Sequence, residues 1–193
     1  DRDVKGLRIA WSPDYGFANV EPEVLNVTHK AALAFEDVGC HVEECSLRLE
    51  PPYDLYGPIL DAHFYDEFGR YMKTDADQLM GCTKLCIERG ANVTATDYAK
   101  TLGLMDRLKS KMTDLFEKYD LLLSPVLCFT AFKNGEYPGS LWSETGYPEQ
   151  YLNGTFTLQI NTIGHPAASI PAGFSSDGMP IGLHIVGRKG DEE

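Results

Sequence analysis

At 193 residues, 43% of them hydrophobic and 11% aromatic, the chain is long enough to bury one substantial core and too apolar to stay disordered. Its 17 basic and 29 acidic residues give a net charge of −12 with no basic stripe, so neither nucleic acid nor an anionic membrane is an expected partner. No run reaches the ~18 apolar residues that a membrane-spanning helix requires.

The elements alternate in type along the chain. Gly6–Ser12 reads as a first strand, closed by a turn through Pro13–Gly16. Pro22 suits the first turn of a helix running to Val38, with Val24, Ala31, Phe35 and Val38 on one face and Gly39 as its stop. His41–Ser46 follows as a second strand, and a strand–helix–strand unit favours parallel pairing through a right-handed crossover. Residues 54–72 and 75–89 read as helices, the first interrupted at Gly57-Pro58 and the second ended by Gly90. From Thr96 to Tyr119 the residues Tyr98, Leu102, Met105, Leu108, Met112, Leu115 and Tyr119 fall three or four apart, which predicts a long helix with one buried stripe.

Asp120–Pro125 reads as a strand with Leu121–Leu123 buried on both faces. Residues 126–150, broken by prolines and glycines, form a long irregular loop of the kind that often carries function. Ala167–Pro171 is then expected as a short buried strand. Ser175-Ser176-Asp177-Gly178 has the composition of a tight turn, and Ile181–Val186 resumes as a second apolar strand with Pro180 tolerated at its start. The fold class is α/β, a mixed β-sheet sandwiched between helices.

Few of the polar residues suggest chemistry. The five cysteines, Cys40, Cys45, Cys82, Cys86 and Cys128, are odd in number and contain no CxxC pair, so they read as free thiols of a reducing compartment, the cytoplasm being favoured. Sequons at Asn26, Asn92 and Asn153 point towards secretion instead, but two of them fall in or beside expected helices. No GxSxG nucleophile elbow occurs, and Ser169, Ser175 and Ser176 sit where a strand or turn needs them. His63, Asp66 and Glu67 could share one helix face, yet nothing completes a metal site, and a solvated polar face is the expectation. His165 and His184 read as structural, hydrogen-bonded histidines. No phosphate loop or dinucleotide fingerprint is present, so neither cofactor nor metal is expected.

Asn161, Gly164, Pro166, Pro171, Gly173 and the Gly178–Gly187 hairpin closely resemble the C-terminal signature of amidase-signature hydrolases. Lys5–Ala10, Pro22-Glu23-Val24 and Asp120–Pro125 resemble further segments of that family in the same order, so the likeness spans the chain. The resemblance implies a serine hydrolase that cleaves a small carboxylic amide with a serine nucleophile, a second serine on a cis peptide bond and a lysine, all upstream of the matching segments. No lysine here matches that catalytic lysine, and no catalytic residue is assigned. Residues 1–193 are therefore expected to be the C-terminal portion of an amidase domain, without its upstream catalytic half and terminal helix, and inactive alone. The expected partners are a small-molecule amide and the missing N-terminal half, with a homodimer left open.

In the family the substrate is lined by the loop after the DLLLSP-like strand and by the helix leading to Asn161. This implies substrate-binding roles for Trp142, Tyr151 and Thr155, with Tyr147, Gly154 and Leu158 nearby. Glutamine-dependent tRNA amidotransferase subunits resemble the family too, and place an acid near the position of Gly154 to hold an amino group. Glycine cannot do so, which disfavours that alternative. The other alternative is a non-catalytic binding module on the same fold.

Overall fold

The short strands Arg8–Trp11 (β1), His41–Glu44 (β2) and the leucine-rich Leu121–Pro125 (β3) assemble the parallel half of one five-stranded sheet, of order β2-β1-β3-β5-β4. Ala167–Phe174 (β4) and Pro180–Gly187 (β5) complete it as an antiparallel hairpin, with β5 antiparallel to β3. The computed structural model describes residues 4–133 and 154–191.

Side-chain alternation assigns the two faces of the sheet. Ile9, Trp11, Leu123 and Leu183 face helix α1 (Pro22–Leu33) and pack with Ala32 and Cys40. Ala10, Leu122 and Val186 point the other way, into a core shared with α2 (Pro52–Phe68), α5 (Ala95–Phe116) and α6 (Thr157–Ile163). Two shorter helices, α3 (Tyr71–Thr74) and α4 (Gly81–Gly90), lie between α2 and α5 in sequence. This is the expected mixed sheet between helical layers.

Local chemistry explains most boundaries. Pro22 occupies the first turn of α1, and a 3-10 turn over Ala34–Val38 carries the chain to Gly39, whose left-handed φ of 88° ends it. A capping box opens α5: Asp97 N donates to Thr94 Oγ1 at 3.1 Å and Thr94 N to Asp97 Oδ2 at 3.2 Å.

Four expectations are corrected. Helix α2 runs through Gly57-Pro58 without interruption, since one missing N–H is tolerated in a helix packed against α4 and α5. The helix expected from residue 75 begins at Gly81, because the chain first makes a turn in which Gln78 N donates to the backbone carbonyl of Asp75 at 3.0 Å. The periodic stripe of α5 is buried only from Leu108 onward, where the helix meets the sheet; Tyr98 and Leu102 are 43% and 45% exposed. Strand β4 is exposed along Ala167–Pro171, not buried, because it is the outermost strand of the sheet and, among the described residues, no element covers its outer side.

Candidate functional site

In open α/β sheets, ligands bind beyond the carboxyl ends of the parallel strands, and here that end holds an apolar groove of about 400 Å³. Its back wall is Val126, Leu127, Phe129 and Ala131, the segment leaving β3. The opposite wall comes from Ser169, Ile170 and Pro171 of β4, and Pro180, Ile181 and Gly182 of β5, while Val24 of α1 closes one end. Among the described residues Ser169 supplies the one polar side chain of this lining, and no charged residue takes part. The floor depends on Gly182, since a Cβ there would stand 3.0 Å from both Val126 Cγ2 and Ser169 Oγ.

The back wall is stitched to the residues that precede α6. Leu127 and Thr155 form an antiparallel bridge. Cys128 N donates to Gly154 O at 2.9 Å, and Phe156 N donates to Val126 O at 3.1 Å. A further tie runs to the start of α1, where Glu21 N donates to Cys128 O at 2.8 Å. Burial and the carboxylate of Glu21 push the Cys128 thiol up to about 12, so it stays protonated and is no nucleophile at neutral pH.

Beneath the groove, at the end of β3, lies a buried polar junction. Ser124 and His184 are a cross-strand pair of β3 and β5. Ser124 Oγ is hydrogen-bonded to Tyr15 Oη at 3.0 Å, and His184 Nδ1 stands 3.5 Å from the same oxygen. Burial depresses the His184 imidazole to about 4, so it is neutral in the folded protein near pH 7. The Tyr15 phenol is pushed well above its ordinary range by the same cause.

Of the residues expected to line the substrate, Trp142 and Tyr151, with Tyr147, lie outside the described residues. Thr155 is buried behind Leu127, one layer back from the groove surface. The sequence reading missed the wall residues Val126, Leu127, Phe129, Ile170 and Ile181. Its usable signal was the apolar run Val126–Phe129 directly after a strand, inside the loop already marked as functional.

The other polar features serve the fold. His165 uses Nδ1 against Gly187 O at 2.9 Å and stacks on Phe116. His63 pairs with Glu67 at 3.0 Å on an exposed helix face. Among the described residues no cluster could hold a metal ion, and none of the five cysteines forms a disulfide. No helix of the described residues is long and apolar enough to cross a membrane. A larger cavity of about 560 Å³ lies at the opposite end of the sheet, where Arg188 Nη2 donates to Phe116 O and Lys109 pairs with Asp106.

The amidase family model matches residues 1–193. The chain belongs to the amidase family. An acylamidase of Rhodococcus erythropolis is 30% identical over 188 residues, covering 96% of this chain and 39% of that protein. A glutamyl-tRNA(Gln) amidotransferase subunit of Heliobacterium modesticaldum is 32% identical over 217 residues, covering 99% of this chain and 43% of that protein. The chain thus spans about two fifths of the length of these curated relatives. A bacterial aryl acylamidase of the amidase signature family superposes with a TM-score of 0.82 at 23% identity, over 98% of this chain and 41% of that structure, and shows the shared fold.

Proposed function

We propose that residues 1–193 are the C-terminal portion of an amidase that hydrolyses a small, uncharged carboxylic amide, and that the apolar groove holds the substrate's acyl or aryl group. The observation that carries this reading is the lining itself. A surface of valine, leucine, isoleucine, phenylalanine and proline gains by taking apolar area out of water and offers no charge to a charged substrate. Trp142 and Tyr151 are proposed as further substrate-contacting residues, while Thr155 supports the wall from behind through its bridge to Leu127. The reacting serine, the cis-bonded serine and the lysine come from the rest of the protein, which packs on exposed β4, where Ile170 is 37% and Phe174 69% exposed. In this arrangement the lysine, acting through the second serine, draws the proton from the nucleophile, and the groove fixes the carbonyl in reach.

The match to the amidotransferase protein supports a second reading, glutamine hydrolysis within a multi-subunit complex. Gly154 counts against it: with no side chain it has no carboxylate to pair with an amino group.

The full-length protein should hydrolyse neutral anilides and alkyl amides and show no glutaminase activity. Gly182→Val, which fills the groove floor, should lower kcat/KM about tenfold for amides with bulky apolar acyl groups, equivalent to losing the burial of one or two methylenes. It should spare the smallest amides. Efficient glutamine turnover, or a Gly182→Val enzyme with an unchanged acyl preference, would overturn the assignment.

A further inference from the structure

We infer that Tyr15 is a positioning residue for the groove, holding the Val126–Leu127 wall in place from beneath. The inference rests on the proposed reading of the groove as the substrate's acyl or aryl site, while the wall geometry stands without it. Tyr15 is fully buried and is the one non-glycine with positive φ, 49°, among the described residues. A bulky side chain in the left-handed region is strained, so the surroundings must hold it there. Four contacts do so. Tyr15 N donates to Ser12 Oγ at 3.2 Å, Leu49 N donates to Tyr15 O at 2.9 Å, the ring meets Phe156 edge-on at 4.9 Å, and the phenol oxygen reaches Ser124.

The last two contacts grip both sides of the stitch that makes the wall. Ser124 lies two residues before Val126, and Phe156 is the residue whose N–H bonds to Val126 O. Tyr15 therefore spans from the end of β3 to the segment entering α6, at the level where Leu127 bridges Thr155. The phenol matters because it adds a second hydroxyl proton to this junction. Ser124 has one hydroxyl proton, and the Pro125 carbonyl at 3.0 Å competes with Tyr15 for it, while His184 Nδ1 stands 3.5 Å from the same oxygen. In the observed geometry Ser124 Oγ donates to Tyr15 Oη, and if Ser124 turns its proton to the Pro125 carbonyl the phenol can donate to Ser124 Oγ instead, so Tyr15 guarantees a bond to this oxygen in either orientation. A phenylalanine would keep the ring contact with Phe156 and lose that guarantee.

The test compares Tyr15→Phe, Ser124→Ala and the double variant in the full-length protein. Tyr53→Phe, which removes a half-buried phenol bonded to Asp61 at 2.9 Å in the helical layer, serves as the structural control. Backbone hydrogen exchange at Cys128 and Phe156 should quicken about fivefold in Tyr15→Phe, as expected for loss of one hydrogen bond, with α5 amides unchanged. KM for bulky apolar amides should rise about as much while kcat stays within about twofold, and the double variant should be no worse than either single change, because both delete one interaction. Tyr53→Phe should move neither readout. Unchanged exchange at both amides, or single-variant effects that multiply in the double variant, would overturn the inference. A wild-type protein without amide turnover would remove the proposed function, and the exchange rates would still decide the role of Tyr15.

Discussion

Gly90→Ala is expected to destabilise the protein by about 3 kcal/mol, whereas Gly103→Ala, the same change on the neighbouring helix, is expected to stabilise it by about 0.5 kcal/mol. Alanine favours a helix over glycine by up to ~1 kcal/mol, and at Gly103, where a Cβ would meet nothing within 4 Å, that term stands alone. At Gly90 a Cβ would fall 2.0 Å from the carbonyl oxygen of Asp61 and 2.7 Å from Tyr65 Cβ. The nearest obstacle is backbone of α2 and cannot rotate away. Helices α2 and α4 would have to separate, loosening the contacts among Tyr53, Asp61 and Arg89, where Tyr53 Oη donates to Asp61 at 2.9 Å and Arg89 donates to Tyr53 at 2.8 Å. The packing cost exceeds the helix-propensity gain, so the sign reverses between the two sites. Urea unfolding midpoints of the two variants check this, with the slope held constant.

His184 should make the protein acid-sensitive in a defined window. Its folded-state value lies near 4 against an ordinary 6.5, because burial between β3 and the helical layer disfavours the charged ring. Between those values the unfolded chain binds a proton that the folded chain does not, so stability falls as the pH drops. The contribution is complete above about pH 6.5 and lost as the pH falls to about 4, amounting to roughly 3 kcal/mol at 1.36 kcal/mol per pH unit. Carboxylates titrate in the same range, so the diagnostic comparison is His184→Gln, which keeps a neutral polar group at the site. The variant should lose markedly less stability than wild type between pH 6.5 and pH 4.5 in chemical denaturation. Parallel pH profiles would mean that the ring is already protonated, or solvated, in the folded state.

Much of the fold could be read from the sequence because its signals are local. Pro22 and Gly39 bracket one helical segment, and the three- and four-residue spacing of apolar side chains from Tyr98 to Tyr119 marks another. The parallel β1–β2 pair follows from chirality once strand, helix and strand are recognised. The exposure of β4 could not be read, since Ala167–Pro171 has the same composition whether a neighbour covers it or not. The half-buried stripe of α5 failed for a related reason: periodicity reports which face is apolar but not how far the sheet extends beneath it.

The groove shows the same limit more sharply. Val24, Leu127, Ile170 and Ile181 lie far apart in sequence and meet only through registers that pair Pro125 with Leu183 and Leu183 with Ile170. No local pattern encodes that meeting. The junction of Tyr15, Ser124 and His184 was equally hidden, because a tyrosine in a turn and a serine before a proline look ordinary until the strands align them. Thr155, singled out by resemblance, proves to be one of the residues that fasten the wall from behind.

Amide turnover by the 193-residue chain, measured beside the full-length protein with a neutral apolar anilide, bears most directly on the division of labour proposed between this portion and the rest of the enzyme. The chain alone should give no turnover above the uncatalysed rate, and activity should return when the remaining portion is supplied in trans to cover β4. Sustained turnover by the isolated chain, abolished by a serine-directed inhibitor, would contradict it.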